Sequence, residues 1–491
     1  MNTSRHAPGS FTAPLLLVGA LLATATAAAA AGVPAAAPAP TTTDPATLER
    51  IRSAAMDSGW AWQRLAELTD TIGPRIAGSP QLDAAVSQVA AAMRALGATV
   101  RLQPAKVPHW VRGAEQAELI EYPGRPTGLS QRLHVVALGF SAATPTEGLA
   151  ARVVVVHDFD ELKRRAGEVP GSIVLFDEHF NQRLADNGDA FEAYGRAVQY
   201  RSAGAAQAAA LGARAALVRS VGGADYRLPH TGVTVFKDRQ SAIPAGALSA
   251  EDADLVARLA AQGPVTLKLL LTPTMLPDAD SNNVIADWPG REKPDEVVIV
   301  SGHLDSWDLG TGATDDGVGT MAAAGVIAVL KQLNLHPRRT IRFVAWSSEE
   351  NGGAGSKAYY ESVRESIGTQ AAAIESDAGA GRSLGVDAAV SPQSLASLQP
   401  VLDALAPIGA TALVRFDREL GADIGPLQGA GVPGFAPRVD SRHYFDYHHT
   451  AADTLDKVDP QNLNSQVATM AVLAYFLADS PESLPRFKAA D

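Results

Sequence analysis

The alternation of apolar and polar positions divides the chain into three textures. Between residues 45 and 98 apolar residues recur every three or four positions, in LERIRSAAMDSGWAWQRLAELTD and again in LDAAVSQVAAAMRALG. That is the period of helices with one buried face. Gly78-Ser79-Pro80 precedes the second run, and serine followed by proline suits an N-cap and first helical position. TVRLQPAKV then reads as a strand. From about 137 to 275 the runs shorten. ARVVVVHDF, GSIVLFDEHF, IPAGALS and VTLKLLL have strand length, with the alanine-rich helix of AVQYRSAGAAQAAALGARAALVRS, feeding a strand at its end, and the helix EDADLVARLAAQG between them. This predicts a compact α/β module. From Ser281 onward the strands SNNVIADW, EVVIVSGHLD, TIRFVAWSSEE and QAAAIESDAG alternate with the helices GVGTMAAAGVIAVLKQLN and GAGSKAYYESVRES, and NSQVATMAVLAYFLAD closes the series. Apolar strands alternating with helices predict an α/β fold, a mostly parallel mixed sheet with helices on both faces. Such sheets place their sites at the carboxyl ends of the strands.

Length and composition narrow the class. The 491 residues exceed one ordinary domain, and 46% hydrophobic residues leave ample core. Arg5, the apolar run APLLLVGALLA and the small-residue tract ATATAAAAAG predict an export signal over residues 1–31, cleaved to give a periplasmic or secreted protein. The apolar run is too short for a permanent membrane span, so no integral membrane anchor is expected. Residues 32–44, rich in Pro, Ala and Thr, read as a flexible linker. A formal net charge of −12 argues against nucleic acid as a partner. The absence of cysteine leaves packing or metal, not disulfides, to hold an exported fold.

Residues 301–320, SGHLDSWDLGTGATDDGVGT, carry glycines in phosphate-loop density but no lysine or arginine. GATDDG would set two carboxylates where a phosphate would sit, which like charge forbids. Asp308 reads best as a solvated acidic turn. His303 does not, because a histidine and Asp305 leaving a buried strand together suit a metal ligand oriented by a carboxylate. Asp315 follows the glycine-rich loop at the expected start of a helix. Glu349 and Glu350 follow TIRFVAWSS, and Asp377 follows AAAIES. His448 and His449 lie in YFDYHHTAADTLDKVDP. All of these fall where they can meet at one sheet edge. Two zinc ions about 3.5–4 Å apart need a bridging carboxylate and further N/O ligands. Adjacent glutamates offer one ligand and one free general base. His157, His179 and His230, in the central module, are scattered and are assigned no chemistry.

SGHLDSW, GATDDGVG, WSSEENGGAGS, ESDAG and YFDYHHTAADTLDKVDP together resemble the co-catalytic zinc exopeptidases of metallopeptidase family 28, in particular its carboxypeptidase Q-like branch. The region 137–275 is similar to the protease-associated domain inserted in many of these enzymes. The resemblance implies an N-terminal part of the peptidase domain over 45–136, that insert, and a catalytic domain over 276–485. It implies two zinc ions per chain. His303 and Asp377 would hold one, Glu350 and His449 the other, and Asp315 would bridge them. Asp305 would support His303 and Glu349 would be the general base. His449 is favoured over His448 as ligand because it precedes Thr450 in an HTxxDT pattern, which leaves His448 to polarise the substrate carbonyl. Glu375 is a less suitable ligand than Asp377. The expected substrates are short peptides, cleaved in aminopeptidase or dipeptidase manner, and the expected assembly is a homodimer. The competing readings are a non-enzymatic binding protein on a peptidase scaffold and a di-zinc hydrolase of a non-peptide amide.

Overall fold

The computed structural model describes residues 43–488. The expected export signal and nearly all of the linker lie outside them.

Two eight-stranded sheets carry the architecture. The first runs, from edge to edge, Thr99–Val111, Thr274–Trp288, Arg339–Trp346, Lys293–His303, Gln370–Glu375, Gly434–Val439, Ser383–Ala389 and Ala412–Arg415. Its four central strands are parallel, while Thr99–Val111 and Thr274–Trp288 join antiparallel at one edge and Ser383–Ala389 pairs antiparallel towards the other. The mostly parallel mixed sheet read from the sequence is therefore present. Val298 and Val300 face one core, with helices Val318–Leu333 and Pro460–Asp479. Val297 and Ile299 face another, beneath helix Ala354–Val363. Burial on both faces is why the strand reads as an unbroken apolar run rather than an alternating one.

The N-terminal helices begin as their sequence dictates. Asp44 accepts from the Ala46 N–H ahead of Pro45, and Ser79 accepts from Leu82 N–H ahead of Pro80. These cap bonds satisfy donors that the first helical turn leaves open. Among the described residues one stretch, Ala313–Leu333, made of helix Val318–Leu333 and the turn before it, has the length and apolar character to cross a membrane, but its most apolar window is 94% buried inside the protein, which marks it as a core element.

The second sheet is also mixed. Leu149–Val156, Ile173–Phe176, Ala215–Arg219 and Ala245–Leu248 form its parallel centre. Its strands span Glu115 to Leu271, because Glu115–Glu121, Gln131–Leu133 and Val135–Ala137 hydrogen-bond into it. The sequence boundary near 137 therefore falls inside this sheet. Gln131–Leu133 and Val135–Ala137, three residues each, are too brief to register as a periodic run, and the four polar residues of Glu115–Glu121 dilute its apolar signal.

Candidate metal centre

Three adjacent parallel strands end at one edge. His303 closes Lys293–His303, beside Trp346, and Ser301 stands beside Glu375. The turn after Trp346 carries Glu349 and Glu350, and Asp377 follows Glu375. Asp315 comes from the loop beyond His303. It does not open a helix, as its sequence position suggested. Its backbone is non-helical, and the regular helix starts at Val318.

Side-chain atoms of His303, Asp315 and Asp377 lie within 4.8 Å of one another, and so do those of Asp315, Glu350 and His449. His303 Nε2 is 3.2 Å from Asp315 Oδ1 and 3.8 Å from Asp377 Oδ1. His449 Nε2 is 3.2 Å from Asp315 Oδ2 and 2.9 Å from Glu350 Oε2. Asp315 thus presents one oxygen to each group, as a bridging carboxylate must. Burial pushes the Glu350 carboxyl up to about 7. Against burial, which lowers it, Glu350 and Asp315 hold His449 up to about 9. Glu350 Oε1 is buried with no hydrogen-bond partner. A buried acceptor without a donor, among nitrogen and oxygen ligands only, fits a pair of borderline divalent cations such as zinc.

The surrounding chain holds these donors rigidly. Asp316 turns away from the cluster, accepting from His303 N–H at 3.0 Å and from Gly319 N–H at 3.0 Å. The approach is close enough that a Cβ at Gly319 would lie 2.0 Å from the Ser376 carbonyl oxygen, which only glycine permits. Asp453 accepts from Thr314 and Asp315 N–H at 2.6 and 3.2 Å. Burial and the nearby Asp315 push its carboxyl up to about 6. Arg75, fully buried, donates to the carbonyls of Gly73, Leu304, Thr311 and Gly312, and so fastens the glycine-rich loop.

Asp305 supports His303, but not through its carboxylate. His303 Nδ1 lies 2.9 Å from the main-chain oxygen of Asp305 and 3.8 Å from its Oδ1. The carboxylate instead accepts from the N–H groups of Glu349 and Glu350 at 3.0 and 3.2 Å. It therefore sets the turn that carries both glutamates. No hydrogen bond ties down the Glu349 carboxyl among the described residues. Burial raises it well above the usual range, and Glu350 and Asp377 add to this against the pull of His303.

Glu375 accepts three N–H groups, from Ala422, Asp423 and Ile424, and is thereby occupied outside the cluster. Asp377 instead faces His303 and takes the Tyr444 hydroxyl hydrogen bond at 3.3 Å. Asp308 is not a solvated turn. Arg112 grips it with two bonds, Nε to Oδ2 at 2.8 Å and Nη2 to Oδ1 at 2.7 Å. A pairing with a residue 196 positions earlier leaves no local trace.

The central module also reaches the centre, contrary to its reading as a region without chemistry. His157 does pair locally with Glu161 at the surface. His230, however, is fully buried, with its Nε2 3.0 Å from His448 Nδ1. The next carbonyl, Thr231, lies 3.2 Å from His449 Nδ1. His448 and His449 stack at 3.7 Å between ring centroids, and His448 Nε2 lies 3.4 Å from Asp315 Oδ2. His230 stands between a proline and a threonine with no motif around it. Asp453, by contrast, was visible as the aspartate of HTxxDT.

A cavity of about 890 Å³ opens beside Asp377. Its walls include Arg418 and Glu419 from FDRELGADIGPLQGAGVPG, Arg438 and Arg442 from RVDSRHYFD, and Asp189 and Glu192 from the central module.

Residues 283–474 match the profile of Peptidase family M28. Carboxypeptidase Q of Homo sapiens is 38% identical over 431 residues, 87% of each chain. A solved structure of a peptidase M28 precursor from Shewanella amazonensis SB2B is 34% identical, covers 91% of this chain and 99% of its own, and superposes with a TM-score of 0.85. A zinc aminopeptidase from Bacillus subtilis, 20% identical, shares the fold with a TM-score of 0.61 over 88% of this chain and 98% of its own. With its clustered histidines and carboxylates, this chain belongs to peptidase family M28 and is a carboxypeptidase Q-like metallopeptidase.

Proposed function

We propose that the protein is an exported zinc-dependent exopeptidase that releases amino acids from short peptides. The observation that carries this reading is the pair of three-donor groups sharing Asp315, with the Glu349 carboxyl, free of hydrogen bonds, within electrostatic reach of His303, Glu350 and Asp377. His303 and Asp377 would hold one zinc ion, Glu350 and His449 the other, and Asp315 both. Metal bound there would act as a Lewis acid, making water more acidic and the scissile carbonyl more electrophilic.

The chain's own groups do the rest. Glu349 accepts the proton of the attacking water and returns it to the departing amine. Its freedom from other hydrogen bonds leaves it available for both transfers. His448 Nε2, on the Asp315 side of its ring, holds the developing oxyanion. Asp305 keeps Glu349 and Glu350 in register with each other. The carboxylate-rich edge favours a free α-amino group over a substrate carboxylate, which points to exopeptidase action at the N-terminus. The second sheet corresponds in this reading to a protease-associated domain. The same reading includes a homodimer, which analytical ultracentrifugation would establish.

The deciding test is amino-acid release from an unblocked dipeptide by the mature protein, before chelation, after it and after zinc is restored. Loss and recovery with zinc support the reading. No release in the zinc-loaded state across a panel of peptides overturns it. Amidation of the substrate C-terminus then separates the two modes, since an aminopeptidase tolerates it and a dipeptidase does not.

A further inference from the structure

His230 is the one histidine of the central module buried at the centre. Its loop is clamped to the His448–His449 segment from both sides. Thr231 N–H donates to the His449 carbonyl at 2.9 Å, and the Thr231 carbonyl accepts from Arg201 Nη1 at 3.3 Å beside His449 Nδ1. Arg112, itself paired with Asp308, donates to Thr231 Oγ1 at 3.2 Å. His230 N–H donates to Ser220 Oγ at 3.0 Å. The backbone that carries the ring is therefore held independently of the contact with His448, and the ring itself packs between Tyr194 and His449, at 5.8 and 5.1 Å between ring centroids.

Two imidazole nitrogens 3.0 Å apart share one hydrogen. There are two ways to place it. If His448 Nδ1 were the donor, neutral His230 would carry its hydrogen on Nδ1. That atom is buried and has no hydrogen-bond partner. A buried N–H with nothing to accept it is the rarer and costlier arrangement. If His230 Nε2 is the donor, only a ring lone pair is left unpaired, and His448 must carry its hydrogen on Nε2. That is the nitrogen facing Asp315 at 3.4 Å, a long contact that leaves the N–H available to a substrate oxygen in its path.

We infer that His230 is a positioning residue of the peptidase reaction: its Nε2–H donates to His448 Nδ1 and thereby fixes His448 as a hydrogen-bond donor towards the substrate carbonyl oxygen. The inference rests on the reading of His448 given above. It assigns the second sheet a part in catalysis, because that module supplies the residue that sets the His448 tautomer. A wrong tautomer at an otherwise intact site removes the donor without removing the side chain.

The test is a set of four zinc-loaded variants of the mature protein, assayed on an unblocked dipeptide with bound metal measured in each: His230→Leu, His230→Gln, His448→Ala and the double variant His230→Leu/His448→Ala. His230→Leu is expected to lower kcat by about 10–100-fold, the usual cost of losing a supporting hydrogen bond, with KM and metal content held near the parent. His230→Gln places an amide N–H near the position of Nε2 and is expected to recover most of that loss, which a packing role alone would not allow. The double variant should be no slower than His448→Ala, because the effect of His230 passes through His448. His230→Leu at parental kcat beside an impaired His448→Ala overturns the inference alone. So does a His230 loss that adds in full to that of His448→Ala, or a Gln variant no better than Leu. A His448→Ala variant at parental kcat overturns instead the reading of His448 on which the inference stands.

Discussion

Replacing Asp305 by asparagine separates two accounts of how the centre is held. In the native chain the Asp305 carboxylate accepts from Glu349 and Glu350 N–H at 3.0 and 3.2 Å, while His303 is held by the main-chain oxygen of Asp305 at 2.9 Å. Asparagine keeps the shape. Its amide oxygen can still accept one N–H, but its NH₂ then confronts the other, leaving a buried donor unpaired. A hydrogen bond to a charged group contributes about 1.5–3 kcal/mol, so Asp305→Asn should lose stability of that order. The turn carrying Glu349 then shifts, and a displacement of about 1 Å at a reacting group costs on the order of 100-fold in rate. A fall in kcat of about 10–100-fold is therefore expected. The bond to His303 uses backbone and survives the substitution. Metal affinity should accordingly change by much less than the ~10-fold that loss of a histidine's partner costs. Steady-state kinetics, urea unfolding and metal titration of the one variant read all three quantities. Loss of a metal ion with kcat preserved in the remaining loaded fraction would refute the argument and restore the carboxylate as the partner of His303.

On the function proposed above, Glu349→Gln keeps every metal-ligating side chain and removes the base, so kcat should fall by about 10²–10⁴-fold with bound metal unchanged, read by kinetics and metal analysis. Gly319→Ala would drive a Cβ to 2.0 Å from the Ser376 carbonyl oxygen and 2.3 Å from Asp316 Oδ1, and is expected to lower metal content as well as stability; a fully loaded variant would show that the backbone can give way. Arg75→Met leaves the carbonyls of Gly73, Leu304, Thr311 and Gly312 without their donor. At about 1 kcal/mol or more for each unsatisfied buried acceptor, urea denaturation should show a loss of at least ~3 kcal/mol.

Alternating apolar runs were enough to place the principal strands and helices from Ser281 onward, because a strand buried on both faces must be apolar at every position, as Val297 to Val300 are. The helix start at Ser79 and the meeting of His303, Asp315, Glu350, Asp377 and His449 were legible for a related reason, whereas the cap at Asp44 was read as linker. Caps are local, and residues that follow parallel strands come out at one edge. The short strands Ser383–Ala389, Ala412–Arg415 and Gly434–Val439 were not legible, being four to seven residues with no repeated period. Nor were the partners of individual polar side chains. Asp305 and Asp308 had clear identities, yet whether they face an imidazole, a backbone turn or Arg112 depends on where distant segments cross. His230 shows this most fully. It joins His448 across 218 positions, and only the packing of the two sheets brings their nitrogens to 3.0 Å. Local periodicity records which way a residue faces, whereas its hydrogen-bond partner is set by long-range topology, whose geometry no short window of sequence contains.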